Sequence, residues 1–227
     1  MRLVVCDNYN IMETVAFVPI RLNSKRVVGK NLKMLGNKPL LCYILDTLVK
    51  VERIDEVYVY CSNEEIIKYL PQGVKFLKRP EFLDRDETLG KEIYEEFTKT
   101  VDADVYVLAH TTSPFMKVTT VENALNKILD EDYDSAFSAE KIQTFAWFNG
   151  KTLNYDLKEI PRTQTIEPVY VETSAFFMFK KDVWKKHKQR IGFKPYMALV
   201  DKIEGVDIDW PEDFELAEQL IKSEIIK

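Results

Sequence analysis

Short apolar runs alternate with amphipathic stretches between residues 15 and 139. The runs are typical of buried strands and lie at residues 15–20, 57–61, 74–77, 105–109 and 135–139. Between the first two of them, apolar residues recur at the spacing of one helix face, at Leu41, Ile44, Leu45 and Leu48. Strands that alternate with helices in this way predict βαβ units and a mostly parallel sheet, and therefore an α/β fold.

Polar residues follow these strands at the points where the strands end. They are Arg21 after the first strand, Ser62 and Asn63 after the second, Arg79 after the third, and His110, Thr111, Thr112 and Ser113 after the fourth. The carboxyl ends of parallel strands lie along one edge of the sheet, and ligands of α/β proteins bind there. We therefore expect a binding site at this edge, although hydroxyl residues also commonly satisfy the backbone groups of turns.

The basic loop, residues 21–31, is the most charged of these strand ends. Its cations and hydrogen-bonding residues are Arg21, Asn23, Ser24, Lys25, Arg26, Lys30 and Asn31. The loop lacks the GxxxxGK[ST] and GxGxxG patterns, so phosphate binding would depend on arginine and lysine side chains rather than on a glycine cradle. A solvated run of surface charge is the alternative interpretation.

The alternation of strands and helices ends near residue 143. An Asn149-Gly150 pair predicts a β-hairpin with a type I′ turn, and residues 169–180 form a strand-like, aromatic-rich run. We interpret residues 142–180 as a β-rich arm, which is either a lid or a dimerisation element, within a single domain of residues 1–227. Residues 205–209 are then expected to return to the sheet as a strand, and Pro211 to open a closing helix.

Two aspartates, Asp207 and Asp209, stand two residues apart in this last predicted strand. Residues two apart on a strand point to the same face, so both carboxylates would project together. Such a pair suits Mg²⁺, which takes one or two protein carboxylates together with phosphate oxygens. The alternative is an ordinary strand end with solvated acids, one of which caps the next helix.

The composition limits the partners and the compartment. A net charge of −5 and a pI near 5.3 argue against bulk binding to nucleic acid or to an acidic membrane surface. Three cysteines without a CxxC spacing indicate a reduced, cytoplasmic protein. No apolar run approaches the roughly 20 residues that a membrane span needs. Residues 1–13 lack the apolar core of a signal peptide, and we interpret them as an extra edge segment or as residues upstream of the domain.

Five sequence elements occur in an order and spacing that chance rarely produces. They are an R-x-x-S-K-x(4)-K-N loop (Arg21, Ser24, Lys25, Lys30, Asn31), Arg79-Pro80, Thr111-Thr112-Ser113-Pro114, Pro161-Arg162-Thr163-Gln164, and Asp207-Ile208-Asp209 followed by Phe214, Ala217 and Glu218. Together they resemble the acylneuraminate cytidylyltransferase family of the nucleotide-sugar transferase superfamily, which includes the CMP-sialic-acid synthetases. The resemblance extends from about residue 15 to residue 222.

This resemblance implies both a fold and a reaction. The fold is the three-layer, Rossmann-like α/β fold of the nucleotide-diphospho-sugar transferases, with a mostly parallel sheet and dimerisation through the β-rich arm. The reaction joins CTP and an acidic sugar to give a CMP-sugar and pyrophosphate, with Mg²⁺ as cofactor. We therefore expect a magnesium-dependent cytidylyltransferase that forms a homodimer and binds neither nucleic acid nor membranes.

The resemblance also implies roles for individual residues. The implied catalytic residues are Arg21, Lys30 and Asp209, and the implied metal ligands are Asp207 and Asp209. The implied nucleotide-binding residues are Arg21, Asn23, Ser24, Lys25, Lys30, Asn31, Ser62 and Arg79. The implied sugar-binding residues are His110, Thr112, Ser113, Arg162, Gln164 and Glu172.

The sequence departs from the family mainly on the side expected to touch the sugar. His110-Thr111 stands where many members have Gln-Pro, residues 115–117 stand where many have an arginine, and residues 170–175 stand where sialic-acid enzymes often have Arg-Pro-Asn-Gly. The identity of the sugar acid therefore stays open. So do a different sugar phosphate or small acceptor as substrate, and a catalytically silent nucleotide-binding homologue.

Overall fold

A seven-stranded sheet forms the centre of the structure, a computed structural model that describes residues 12–223 and 226. The elements of the N-terminal half are β1 (Thr14–Ile20), β2 (Met34–Leu35), β3 (Lys38–Pro39), α1 (Leu40–Leu48), β4 (Glu56–Cys61), β5 (Val74–Lys78), α2 (Gly90–Thr100) and β6 (Val105–Ala109). Those of the C-terminal half are α3 (Val118–Asp130), β7 (Ser135–Ile142), β8 (Trp147–Phe148), β9 (Lys151–Thr152), β10 (Val169–Lys180), α4 (Lys181–His187), β11 (Pro195–Val200) and α5 (Pro211–Lys222). Short 3-10 helices lie in the connections at Lys30–Leu32, Glu64–Tyr69 and Glu81–Asp84.

The strand order of the sheet is β11-β7-β10-β6-β1-β4-β5. Neighbouring strands are parallel except where β10 is involved, because β10 runs antiparallel to both β6 and β7. This arrangement confirms the predicted α/β fold with a mostly parallel sheet. Since β4 and β6 lie on opposite sides of β1, the direction of winding reverses there. The crevice between the carboxyl ends of β1 and β6 is the place where such folds bind ligands.

Helices cover both faces of the sheet and give the molecule three layers. On one face, Leu41, Leu45 and Ile128 of α1 and α3 are fully buried against the sheet. On the other face, Phe97 of α2 stacks on Phe17 of β1 with ring centroids 4.1 Å apart. Replacing a buried phenylalanine by alanine typically costs about 3–5 kcal/mol, so this stack is a main anchor of α2.

Several predictions from the sequence match these elements. The five predicted strands between residues 15 and 139 are present as β1, β4, β5, β6 and β7, and the predicted aromatic run is β10. The predicted hairpin is present as β8 and β9, with φ of 48° at Asn149 and 74° at Gly150. Both positive angles are those that a type I′ turn requires. Pro211 opens α5, as expected.

The predicted strand at residues 205–209 is wrong, and β11 takes its place in the sheet. β11 occupies the position beside β7, and the residues that follow it turn away from the sheet instead of pairing with the outer side of β11. A turn then redirects the chain, and Asp201 Oδ1 closes it by accepting hydrogen bonds from the amides of Ile203 and Glu204. Residues 206–209 cross the carboxyl edge, where the Ile208 amide donates to Thr112 O at 2.8 Å.

The described residues do not cover every prediction. Residues 1–11 lie outside them. The interpretation of residues 1–13, as an extra edge segment or as residues upstream of the domain, therefore stays a prediction. Within residues 12–223, every helix is too short or too polar to cross a lipid bilayer.

Candidate active site

The basic loop is held between β1 and β6 by Asn31. The Asn31 side chain is buried, donates from Nδ2 to Arg21 O at 2.9 Å, and accepts at Oδ1 from Thr111 Oγ1 at 2.6 Å. Gly29 enters the short helix at Lys30 with a φ of 63°, in the left-handed region that favours glycine. The loop therefore folds back onto the strand ends instead of extending into solvent. Its second half is thus not the solvated run of surface charge that the alternative interpretation describes.

Each cation of the basic loop faces an acidic side chain of the same molecule. Arg21 Nη1 lies 3.1 Å from Asp86 Oδ1, and Lys25 also pairs with Asp86. The hydrogen bond from Lys25 is the main reason why the pKa of Asp86 is lowered. Arg26 Nη2 lies 2.9 Å from Asp209 Oδ1, and its guanidinium stacks on Trp210. These pairs join the basic loop to residues 86 and 209, which are distant from it in the sequence.

Lys30 is the buried member of this group. Its Nζ donates to Ile208 O at 2.7 Å and lies 3.3 Å from Asp209 Oδ1. Only 10% of its side chain is exposed, whereas the side chain of Lys25 is 73% exposed. Lys30 is thus a fixed positive charge under the loop, and Lys25 is an adaptable one above it.

Asp207 and Asp209 lie beside this lysine, on the segment that crosses the carboxyl edge. Asp207 Oδ1 is buried and has no hydrogen-bond partner among the described residues. Burial raises the pKa of Asp207, Asp209 adds to this effect, and the Thr112 hydroxyl and Lys30 oppose it. A buried carboxylate oxygen without a partner is costly unless a cation or a donor meets it, so the donor set fits a hard divalent cation.

The next helix fixes the orientation of this acidic segment. Asp213 Oδ2, in the first turn of α5, accepts hydrogen bonds from the amides of Asp209 (2.9 Å) and Trp210 (2.8 Å). Removing a capping acceptor of this kind typically costs about 1 kcal/mol. The backbone of Asp209 is therefore held by α5, while its side chain faces Lys30.

A cavity of about 290 Å³ opens next to the basic loop. Residues from the ends of several strands and from the start of α2 line it, among them Arg21, Arg79, Asp86, Thr88, Tyr94 and His110. Arg79 is almost fully buried and pairs with Asp84, and its Nε has no partner among the described residues. An unsatisfied buried guanidinium nitrogen at a cavity wall is a donor available to a ligand.

His110 is half-buried directly after β6, and its tautomer follows from its hydrogen-bond partner. Its Nδ1 lies 2.6 Å from Ser174 O, and a carbonyl oxygen can only accept, so Nδ1 carries the proton and Nε2 does not. Burial lowers the pKa of His110, and the charge of Arg190 lowers it further, against the Ser174 hydrogen bond. The ring is therefore a neutral acceptor at the cavity wall.

The remaining nucleotide-binding candidates are spread more widely. Asn23 is exposed and Ser24 half-buried in the first half of the basic loop. Ser62 lines a different, more open depression of about 600 Å³ together with Asn63 and Lys78. Asp84 lines this depression and also contacts Arg21, because its backbone carbonyl accepts a hydrogen bond from Arg21 Nη1 at 3.4 Å.

The sugar-binding candidates fall into two groups. Thr112 and Ser113 lie under the acidic segment, where Ser113 is fully buried and its Oγ has no partner among the described residues. Arg162 and Gln164 lie exposed on the β-rich arm, and no described contact joins their side chains to the cavity. Glu172, at the start of β10, faces Arg190 across 3.6 Å.

Several residues of this region were not predicted from the sequence. Asp86 lies in a loop that reads only as charged, and its partner Arg21 is 65 positions away. Glu204 is a buried acid that accepts from the Lys117 amide at 3.0 Å and from Thr120 Oγ1 at 2.7 Å, and so ties the segment before Asp207 to α3. No local pattern marks these acids, because their partners come from distant parts of the chain.

The model of a family described as "Cytidylyltransferase" matches residues 15–226. The chain belongs to the cytidylyltransferase family. This membership confirms the family resemblance that the five sequence elements predict, and it covers both the basic loop and the acidic segment.

Individual proteins that resemble the chain are also named as cytidylyltransferases. The chain is 27% identical to N-acylneuraminate cytidylyltransferase A of Danio rerio over 86% of its own length and 49% of the relative. It is 28% identical to an N-acylneuraminate cytidylyltransferase of Escherichia coli, over 89% and 51% of the two chains. A Helicobacter pylori protein named as a pseudaminic acid cytidylyltransferase and a hydrolase is 26% identical over 93% and 43%. The chain spans about half the length of the curated relatives it matches.

Solved structures show the same fold. A CMP:2-keto-3-deoxy-manno-octonic acid synthetase complexed with CTP superposes with a TM-score of 0.69 at 16% identity, over 93% of this chain and 99% of that one. A 4-diphosphocytidyl-2C-methyl-D-erythritol synthase of Anaerococcus prevotii superposes with a TM-score of 0.67 at 14% identity, over 94% and 97%. The three-layer fold expected for nucleotide-diphospho-sugar transferases is thereby confirmed.

Proposed function

We propose that this cytidylyltransferase transfers CMP from CTP to an acidic sugar of the sialic, nonulosonic or keto-deoxy type and releases pyrophosphate. The observation that carries the proposal is the meeting of Lys30 with Asp209 and Ile208 O, in a loop whose first residue, Arg21, lines the 290 Å³ cavity. That meeting joins a fixed cation to the Asp209 carboxylate, two residues from that of Asp207, at the edge where this fold binds ligands. The relatives whose names state acidic sugars support the choice of acceptor.

The proposed chemistry needs alignment and charge neutralisation more than it needs a covalent intermediate. The anomeric hydroxyl of the sugar attacks the α-phosphorus and loses its proton to water, the bond between that phosphorus and the bridging oxygen to the β-phosphorus breaks, and pyrophosphate leaves with that oxygen. Arg21 and Lys25 can bind phosphate oxygens from the exposed side of the basic loop. Lys30 would supply a preorganised positive charge that costs no rearrangement in the transition state.

The metal belongs to the same proposal. Within residues 12–223, no three His, Cys, Asp or Glu side chains form a metal-binding group, so a cation here would have two protein carboxylates at most. Mg²⁺ is commonly bound by only one or two protein carboxylates, because phosphate oxygens and water complete its coordination. Asp207 and Asp209 would hold it, and the strongest support is Asp207 Oδ1, which is buried and has no hydrogen-bond partner within the part of the chain that the structure describes. When bound, Mg²⁺ would neutralise triphosphate charge.

A homodimer is also part of the proposal. The β-rich arm exposes many large apolar side chains, which are Phe145, Trp147, Phe148, Leu153, Leu157, Ile160, Tyr170 and Val171. A concentration of large exposed apolar side chains in one segment is typical of an interface with another protein. A second copy of the chain would cover the arm and bring it near the neighbouring site. The cytoplasmic location stays a prediction from the sequence.

The direct test is pyrophosphate release by the purified protein. Each of CTP, UTP, ATP and GTP is combined with N-acetylneuraminate, 2-keto-3-deoxy-manno-octonate and a hexose 1-phosphate, with Mg²⁺ or with excess EDTA. We expect release with CTP and at least one sugar acid, and its loss with EDTA. Nucleotide binding without release in any combination would support the silent homologue, and release with the hexose phosphate alone would overturn the choice of acceptor.

A further inference from the structure

Arg190 lies in the loop between α4 and β11, and hydrogen bonds to the start of β7 fix this loop. The Gly192 amide donates to Ser135 Oγ at 2.8 Å, and the Phe193 amide donates to Asp134 Oδ2 at 2.8 Å. A Cβ added to Gly192 would lie 2.4 Å from an Asp134 oxygen, so a larger residue does not fit there without movement. The backbone that carries Arg190 is therefore anchored to the sheet.

The guanidinium of Arg190 has a firm support and weak polar contacts. Its Cζ lies 3.6 Å from the ring centroid of Phe177, which is fully buried beneath it. Nη1 donates to the Tyr94 hydroxyl at 3.4 Å, and Nη2 lies 3.6 Å from Glu172 Oε2. Both distances are at or beyond the long limit for a hydrogen bond. Arginine has five N–H donors, so most of this capacity is unused by the residues that the structure describes.

His110 touches the same phenylalanine and adds an acceptor. The rings of His110 and Phe177 meet edge to face with centroids 6.3 Å apart. With Nδ1 committed to Ser174 O, the Nε2 atom of His110 is a lone-pair acceptor suited to a hydroxyl group. Phe177 thus carries a guanidinium on its face and has a hydroxyl acceptor at its side. An anionic group and an alcohol on one small molecule would match this pair.

Arg190 also lies one cavity away from the basic loop. The cavity of about 290 Å³ is lined by Arg21 and His110, and a second one of about 400 Å³ is lined by Arg190. Gly90 and Tyr94 line both, so the two cavities adjoin. A sugar that reacts with a nucleotide held by the basic loop could therefore reach Arg190.

The cations of the basic loop make poorer partners for a sugar acid than Arg190 does. Arg21 and Arg26 already lie about 3 Å from carboxylate oxygens, and Lys30 is buried against Asp209. We propose that Arg190, stacked on Phe177, binds the carboxylate of the acidic sugar and that His110 Nε2 accepts a hydrogen bond from one of its hydroxyls. This inference rests on the proposed function, because it assigns that function's acceptor subsite.

Glu172 shows where the substrate carboxylate would sit. It is a protein carboxylate already directed at Arg190, but at 3.6 Å it is held loosely and is 46% exposed. A substrate carboxylate that pairs bidentately with the guanidinium would displace Glu172 toward water. Removal of the Glu172 charge should therefore favour the sugar acid, whereas removal of Arg190 should disfavour it.

The experiment measures steady-state pyrophosphate release with CTP and the best of the sugar acids in the panel above. Arg190→Met should raise KM for the acid about 30-fold and leave KM for CTP within about twofold, since a charge-assisted pair is lost on the sugar side only. Arg190→Lys should recover part of the loss. Glu172→Gln should lower KM for the acid about threefold. Lys186→Met removes the same charge from an exposed position of α4 and should change neither constant.

The carboxamide of the same sugar gives a second readout. Wild-type protein should prefer the acid to the amide, and Arg190→Met should lose most of that preference. An Arg190→Met protein with an unchanged KM for the acid, or with an equal rise in both KM values, overturns the Arg190 assignment while the proposed function stands. Absence of release by wild-type protein with every acid overturns both together. A melting temperature for each variant separates lost binding from lost folding.

Discussion

The two sides of strand β6 differ in strand direction, in exposure and in how their charges are arranged. On the β1 side the strands are parallel, and the cations of the basic loop are matched to Asp86 and Asp209 at hydrogen-bonding distances. On the β10 side a strand runs antiparallel, the β-rich arm exposes aromatic residues, and Arg190 has loose polar contacts. Under the proposed function, nucleotide binding would depend on a closely paired framework of charges, whereas binding of the acceptor and of a second subunit would depend on loops and an arm.

The largest expected effect belongs to the acidic segment on the β1 side. Asp209→Ala should lower kcat by about 1,000-fold, because both the proposed metal site and the partner of Lys30 are lost. Fixed-time assays of pyrophosphate release at saturating substrate would measure this fall in kcat. Asp132→Ala, at a side chain that is 94% exposed, is the control and should leave kcat unchanged. Near-normal activity of Asp209→Ala would contradict the metal assignment.

A smaller loss is expected at the buried cation of the same side. Lys30→Met should lower kcat/KM for CTP about 100-fold, since a preorganised charge under the triphosphate is removed. The matched control is Lys33→Met, whose exposed side chain covers the Phe214 ring and whose methionine replacement keeps that contact. If both variants lose activity equally, general electrostatic attraction explains the loss and the fixed position of Lys30 does not.

On the β10 side, substitutions should change assembly before chemistry. Trp147→Asp should weaken self-association by about 10–100-fold, because a large exposed apolar side chain is replaced by a charge at the proposed interface. Sedimentation velocity over a concentration series would measure the dissociation constant. Phe193→Asp is the control, since Phe193 is also highly exposed but lies outside the arm. If the wild-type protein is already monomeric, the proposal that the arm forms a dimer interface is wrong.

The smallest effect concerns pH and His110, where the two sides meet. Because burial lowers its pKa, the unfolded chain binds more protons than the folded one just below the ordinary value near 6.5. Stability should therefore fall as the pH is lowered from 7 toward 5, with a slope of at most about 1.4 kcal/mol per pH unit from this group. Urea titrations of wild type and His110→Gln would show a flatter profile in the variant. Identical profiles would mean that other groups carry the dependence.

Much of the β1 side could be predicted from the sequence because its signals are local. Apolar runs of four to six residues marked the strands, and the spacing of Arg21, Lys30 and Asn31 marked the loop. The strand at residues 205–209 was mispredicted because alternation alone cannot show that β11 already holds the edge of the sheet. Arg190 was missed for a related reason. Its importance comes from Phe177 and Glu172, which a linear pattern does not associate with it.

The pairing within the basic loop has a consequence for how nucleotide affinity should respond to salt. Asp86 and Asp209 act as resident counterions for Arg21, Lys25, Arg26 and Lys30. A triphosphate that binds here exchanges places with carboxylates of the protein, so it releases fewer salt ions than it would from an open cationic groove. Its affinity should therefore depend only weakly on ionic strength. The same internal exchange makes the loop a poor attractant for unrelated polyanions, in keeping with a chain whose net charge is −5.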